Sequence, residues 1–401
     1  MRSVADRVAK LAPNPATALL ASLWPLVIGL VLAWFLQELV APALGPFKAK
    51  IVLDIGIAIV AAGSLNIVNG FGGQFSIGHA GFMMIGGYAA AWLTYYGSIA
   101  IWGSPDLHGQ FLGSGDALFL CACLLGGLVA AAAGFVVGMP SLRLRGDYLA
   151  IVTLGFGEIM RVVVQRTGDQ LDVPTANTTP LASTVTKLGG SLGFDGVPTY
   201  TRIFYVYAFV AILLIAAYRL KTSSKGRALL AVRENEVAAE SVGIPTSRTK
   251  VSAFVLAAFF AGIGGALFAH ELGTALNAPE LGFQKSIDLV IIVVIGGMGS
   301  ISGVVLAASI LTVLPEAFRG FDEYRMPIYA LALIVVMILR PQGLFGIREL
   351  WDTSLWKRLM VKIRGNRPPK AIIYGDKYVS PSAVTIETKP PVDKVDPEDK
   401  P

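Results

Sequence analysis

Apolar runs of 14 to 23 residues, parted by short polar connections, recur from about position 20 to position 340. A helix crossing a bilayer core needs about 20 consecutive apolar residues. On that measure the pattern predicts spans at 20–41, 51–68, 75–96, 117–139, 148–165, 203–219, 250–271, 286–299, 301–316 and 326–340. A transmembrane barrel would instead show alternating segments of about 10 residues, and the runs here are longer and continuous. The expected fold class is therefore an all-α polytopic membrane protein with about ten transmembrane helices (8–10), some broken or re-entrant. The run near 19–40 follows Arg2, Arg7 and Lys10 and exceeds the core of a secretory leader, about 7–15 residues, so it reads as a retained first span. In 286–316, Gly296, Gly297, Gly299 and Gly303 interrupt the pattern. One broken helix there would leave nine crossings and put the basic tail outside, so two crossings, or a crossing plus a re-entrant piece, are expected.

Lysine and arginine stay on the cytoplasmic side of spans. The N-terminus, the 139–147 connection (Arg143, Arg145), the 219–250 segment and the tail after Arg340 hold most of the basic charge. The connections 97–116 and 167–202 carry one lysine between them beside Asp106, Asp116, Asp169, Asp172 and Asp195. Ten spans put every basic connection on one side and both termini in the cytoplasm of a cell with an inner membrane. The organisation expected is a cytoplasmic segment at 1–19, a transmembrane domain at 20–345, an interfacial basic helix at 346–365 and a disordered cytoplasmic tail at 366–401. The interfacial helix rests on Arg348, Trp351, Trp356, Lys357, Arg358 and Lys362; an ordinary snorkelling flank is the alternative. Seven prolines and mixed charge argue for the disordered tail.

Composition agrees with a lipid solvent: 54% of residues are apolar and 15% charged, against about 25% charged in soluble domains. The 44 glycines suit helices packed closely in lipid. The net charge of +6 sits beside the spans rather than on a basic, aromatic-laced face, so no nucleic-acid partner is expected. Cys121 and Cys123 lie two apart on one helix and point to different faces. With three histidines scattered along the chain, no metal site is expected either.

The polar connection 219–250 is unusual in carrying an amphipathic helix of its own, expected over 226–243. Ser223 or Ser224 can cap it, and Gly243 before Pro245 stops it. Leu229, Leu230, Val232, Val237 and Val242 alternate there with Arg227, Arg233, Glu234, Glu236 and Glu240. Such a helix fits the groove of a partner protein, or else it lies on lipid headgroups. Between 66 and 88, seven glycines accompany Asn66, Asn69, Gln74, Ser76 and His79. Glycine clusters break helices, and broken helices at membrane depth are tolerated against protein or a water-filled cavity. Their freed amides and dipoles suit a zwitterionic substrate, so these five residues are candidates for a substrate pathway, with close helix packing as the alternative. Glu158 stands one turn from Arg161 and reads as an internal ion pair, Asp147 as a helix N-terminal charge, and Glu271 and Asp288 as solvated at span ends. Gly189–Gly193 matches G-x-S-x-G by chance, since that motif needs a strand–turn–helix setting.

Several stretches resemble the LivM-type permease of branched-chain amino acid ABC importers: 66–91, 140–165, 189–198, 225–244 and 290–305, spread over about 50–345. In that resemblance Glu236–Gly243 (EVAAESVG) stands where such permeases carry their EAA-type coupling motif. The resemblance implies an ABC importer permease fold, with Arg227, Arg233, Glu234, Glu236, Ala239, Glu240 and Gly243 as the residues that couple to an ATPase. It implies as partners two ABC ATPase subunits, a second permease of the LivH type and a periplasmic amino-acid-binding protein, whose docking the 167–202 loop would serve. No G-x-x-x-x-G-K-[ST] appears in the sequence, so ATP and Mg are expected on the partner subunits, with no cofactor in this chain and no enzyme activity of its own. The alternatives are an ABC permease for urea or short amides, an ion-coupled secondary amino-acid transporter and, more distantly, a membrane-embedded enzyme.

Overall fold

The computed structural model describes residues 15–142, 146–340, 343–344, 349, 372–374 and 377–379. Most of the expected N-terminal segment, the Arg143–Arg145 connection, and all of the interfacial helix but position 349 lie outside these residues, as does most of the tail. By its internal contacts the chain divides into two units, Met1–Leu350 and Trp351–Pro401.

Among the described residues of the first unit, ten apolar helices carry the fold. They are α1 (Pro15–Phe35), α2 (Ala41–Asn66), α3 (His79–Trp102), α4 (Ser114–Ser141), α5 (Asp147–Gln165) and α6 (Ile203–Thr222), then α9 (Thr246–Ala269), α10 (Phe283–Gly296), α11 (Ile301–Ala317) and α12 (Arg325–Leu339). Two short polar helices, α7 (Ser224–Glu234) and α8 (Glu236–Ser241), stand between α6 and α9. Five helical stretches are long and apolar enough to cross a membrane, and the first of them, Leu23–Phe71, takes in most of α1 and all of α2. The first helix begins at Pro15, five residues before the expected span, because the alanine- and leucine-rich 16–22 stretch extends it without a break.

The first two helices nevertheless make two crossings. Gly45 takes φ +75°, ψ 166°, a conformation open to glycine alone, and Pro46 follows it. Neighbouring contacts on α6 show the reversal. The Gln37 carboxamide oxygen accepts from the Phe204 backbone N–H and Gly29 abuts Ala211, so α1 runs against α6. Gly56 abuts Val206 and Gly63 abuts Leu213, so α2 runs with it.

The same reasoning orients the rest around α9, the central helix. It opposes α2, since Glu271 pairs with Lys50 and Gly264 meets Val60 and Ala61. It parallels α3, since Gly262 meets Gly86 and His270 meets Thr94 at 2.8 Å. It opposes α4, whose Gly126 and Gly138 meet Gly262 and Phe254. In turn α5 parallels α3, with Gly78 on Thr153 and Gly81 on Gly157. Direction alternates throughout, so that α7 and α8 share one end of the bundle, the near end, with the start of α1 and the stretch after α12.

The 286–316 question resolves into two antiparallel helices. Gly296 and Gly303 touch backbone to backbone across the 297–300 turn. Lys285, at the start of α10, lies over Phe268, and Arg319, just past α11, lies over Phe47, both at the far end. At 14 residues α10 rises only about 21 Å, so its turn lies within the protein rather than beyond it.

Helices in lipid gain little from apolar burial and hold together through close backbone approach. The centre of this bundle follows that rule. A Cβ on Gly86 would stand 2.3 Å from the Gly262 Cα, and one on Gly262 would stand 2.5 Å from the Gly126 carbonyl oxygen. Three helices therefore cross at three glycines. At the far end the 166–202 loop closes over the bundle. Tyr96 donates its hydroxyl to the Lys187 carbonyl at 2.8 Å, Trp92 donates to Thr184, and Phe194 bridges Leu276. Glu271, expected to be solvated, is instead 6% exposed on its side chain because Lys50 reaches across to it. The Glu158–Arg161 pair forms at 2.7 Å, yet both side chains stay about one-third exposed.

Among its described residues the second unit contains two short antiparallel strands, Ile372–Tyr374 with Lys377–Val379, within the 366–401 stretch read from sequence as a tail. The β-branched and aromatic residues Ile372, Ile373, Tyr374, Tyr378 and Val379 suit such strands.

Candidate functional site

The near end brings two broken helices and the α7–α8 segment into one polar assembly. After Asn66 the second helix widens into a π-helical turn, Ile67–Phe71, and the chain then runs irregularly through 72–78 until α3 starts at His79. Backbone buried without partners costs several kcal/mol in lipid, so its hydrogen bonds must be found locally. They are. Gly72 and Gln74 donate to the Ile67 and Val68 carbonyls, Ser76 N–H donates to Asn69 Oδ1, and Ile77 N–H donates to Thr153 Oγ1. Ala80 N–H donates to Ser286 Oγ on α10.

All five candidate pathway residues are buried in this assembly, and each has a definite position. Asn66 accepts from Gly299 N–H at 2.9 Å and donates to the Ser300 carbonyl at 3.2 Å, joining the two breaks. Asn69 closes a ring with Ser76 by accepting from its N–H and donating to its carbonyl. His79 meets Ser64 Oγ at 2.8 Å. The Gln74 side-chain nitrogen and the Ser76 hydroxyl are buried and, among the described residues, have no hydrogen-bond partner. Those two groups are the unused polar capacity of the break.

The polar connection is folded differently from the single helix expected over 226–243. It is two helices, parted at Asn235, whose backbone is extended (φ −157°, ψ 108°). The Asn235 side chain accepts from Ala238 N–H and so starts a new helix, a capping role that competes with helix continuation. Ser223 caps α7 by accepting from Gly226 N–H, and Gly243, at φ +85°, ends α8.

This break sorts the seven candidate coupling residues into two sets. Arg233 turns inward and donates to the Gly70 carbonyl at 2.6 Å, with its guanidinium also beside Gly299. Ala239 is buried, and Glu236 accepts from Lys250 at 2.6 Å at the start of α9. Arg227 bonds the Thr222 carbonyl and Ser224 at the foot of α7. Glu234, Glu240 and Gly243 are exposed, together with Val237 and Val242, which are 65% and 76% exposed. Inner residues grip the breaks while the outer face carries two apolar knobs between carboxylates. Lys221, not singled out in the sequence, adds a second grip: its ammonium donates to the Gly299 carbonyl at 2.8 Å and lies over the Phe71 ring. A lysine in the last turn of a span reads as a snorkelling residue, so no sequence signal marked it.

A segment that holds two helix breaks by charged hydrogen bonds can transmit movement to membrane depth, and relatives share the region that builds it. The family model for the permease component of branched-chain amino acid transport systems matches residues 48–340. The chain belongs to this permease family. It is 38% identical over 306 residues to the high-affinity branched-chain amino acid transport system permease protein LivM of Salmonella typhimurium, covering 72% of this chain and 67% of that protein. The LivM protein of Escherichia coli is equally similar, at 38% over 307 residues, again 72% of this chain and 67% of that protein. The Salmonella permease protein LivH is 29% identical over 166 residues, 41% of this chain and 53% of that protein. No solved structure matches. The matched range of the family model takes in both breaks and the whole α7–α8 segment, so this polar assembly lies inside the shared permease region.

Proposed function

We propose that this permease is a membrane-spanning subunit of an ABC importer that moves branched-chain amino acids across the inner membrane, driven by ATP hydrolysis on partner subunits. The observation that carries the proposal is the two-sided α7–α8 segment. Its inner face holds Gly70 through Arg233, and Lys221, in the turn of α6 that leads into it, holds Gly299. Its outer face offers Val237 and Val242 among Glu234 and Glu240 to a groove on a partner ATPase.

In this reading two ATPase subunits bind ATP and Mg, a LivH-type permease completes the membrane part, and a periplasmic binding protein delivers the amino acid to the far-end loops. The near end faces the cytoplasm, so both ends of the transmembrane domain do too. ATPase closure displaces α7–α8, and the displacement reaches the 67–78 and 297–300 breaks, which alternate the pathway between its two openings. Asn66, Asn69 and His79 frame the break, and Gln74 and Ser76 offer their free polar atoms to the zwitterion as it passes.

The test is reconstitution of the full complex in vesicles. ATP-dependent uptake of leucine, requiring the binding protein, is expected. Uptake by this chain alone, driven by a proton gradient without ATPases, would overturn the proposal.

A further inference from the structure

Glu349 follows the last crossing, yet its side chain is buried at the N-terminus of α11, 3% exposed. Its carboxylate accepts from the Ile301 N–H at 3.0 Å and from the Ser302 N–H and hydroxyl at 3.1 and 2.8 Å. The Ser300 hydroxyl donates to it at 3.3 Å. On its other side Lys221 pairs with it at 2.5 Å. The helix N-terminus is a natural seat for a carboxylate, because orphan N–H groups and the helix dipole both favour an anion there. What is unusual is the neighbour. Lys221 lies in the last turn of α6, three residues before α7 begins, and the same ammonium holds the Gly299 carbonyl. The carboxylate therefore joins the last turn of α6, which leads directly into α7, to the first turn of α11.

We infer that Glu349 is a positioning residue of the transport cycle, clamping α11 to Lys221 so that movement of α7–α8 carries the 297–300 turn with it. The inference rests on the importer reading above. Without the clamp, Lys221 keeps only one neutral carbonyl as its hold on the turn. The turn is then free to lag behind the segment that should drive it, and ATP is hydrolysed without a matching step at the pathway. A group that only stabilised the fold would lower the yield of assembled complex but leave the work done per ATP unchanged.

The experiment measures leucine uptake and ATP hydrolysis in the same vesicles, using the full complex with its ATPases, second permease and binding protein. Glu349→Gln is expected to lower leucine moved per ATP at least fivefold in complexes of normal subunit stoichiometry, and Glu349→Asp, which keeps the charge, to recover part of that loss. A ratio within twofold of wild type for Glu349→Gln overturns the inference. Lys221→Met cuts the other arm and leaves the carboxylate on α11. It is expected to lower the ratio by a similar factor, and a wild-type ratio there overturns the inference whether or not Glu349→Gln assembles. Wild-type vesicles that hydrolyse ATP without moving leucine would instead sink the importer reading itself, so the two failures are distinguishable.

Discussion

Gly262→Ala adds one methyl group at the point where α3, α4 and α9 cross. The new Cβ would lie 2.5 Å from the Gly126 carbonyl oxygen and 2.6 Å from the Ala130 Cβ, where ordinary contact begins near 3.4 Å. Neither neighbour can swing away, one being backbone and the other a Cβ, so α4 must withdraw by about 1 Å. A gap of that size forfeits a quarter to a half of the dispersion energy of each contact it opens, and overpacking a close-fitted interior costs about 1–3 kcal/mol. Rigid neighbours on α4 put this site at the upper end of that range. Alanine's better helix propensity returns about 1 kcal/mol, leaving about 2 kcal/mol net, or roughly thirtyfold in the folding equilibrium. Gly155 on α5 is the matched control, since a Cβ there meets nothing within 4 Å. Gly155→Ala should be neutral or slightly stabilising. The assay is titration of the purified protein with a denaturing detergent in mixed micelles, read as the shift in unfolding midpoint. Equal midpoints for wild type and Gly262→Ala, or an equal loss in the Gly155 control, would refute the close-packing account.

Three further outcomes are expected. Val237→Asp or Val242→Asp places a charge on an exposed apolar knob of α8 and its C-terminus, and should weaken ATPase association at least tenfold with no change in the permease's own unfolding midpoint; pull-down of the ATPases at graded concentrations measures it. Asn66→Ala strips Gly299 N–H and the Ser300 carbonyl of their buried partner, and each orphaned group costs about 1–3 kcal/mol, so a loss of about 2–6 kcal/mol should appear in the detergent titration, larger than for any exposed residue of α7. Burial alone would raise the Glu349 carboxyl, but the Lys221 ammonium, the Ile301 and Ser302 N–H groups and the Ser302 hydroxyl outweigh it, holding the carboxyl below the ordinary carboxylate value. A depressed value stabilises the fold above the ordinary carboxylate range and loses that contribution only as pH falls through the lowered value. The stability gap between wild type and Glu349→Gln should thus hold steady from pH 8 to about 5 and close only below about 4; a gap that closes between pH 7 and 5 would contradict the clamp.

How far the sequence could be read depended on whether a feature was periodic or relational. The ten crossings follow from apolar length, and even the merged stretch at Leu23–Phe71 divides where Gly45 and Pro46 stand in the sequence. The break at 66–78 was visible as glycine clustering. Its partner at 297–300 was visible too, but nothing in either stretch says that Asn66 spans the gap between them, 233 positions along the chain from Gly299. The polar segment shows the limit most clearly. Arg233 and Glu234 are neighbours with equal claim to a partner protein, and in a short helix periodicity leaves both near the boundary of a face. Only the extended turn at Asn235 and the nearness of Gly70 send Arg233 inward and leave Glu234 outside. Residues grouped together as coupling residues therefore separate into two roles. In the proposed importer, those facing out meet an ATPase and those facing in hold the parts that move. A segment with only the first set could dock but would transmit nothing. The grip of Arg233, with that of Lys221 in the turn leading into α7, is thus the physical reason to propose α7–α8 as a lever rather than a surface helix.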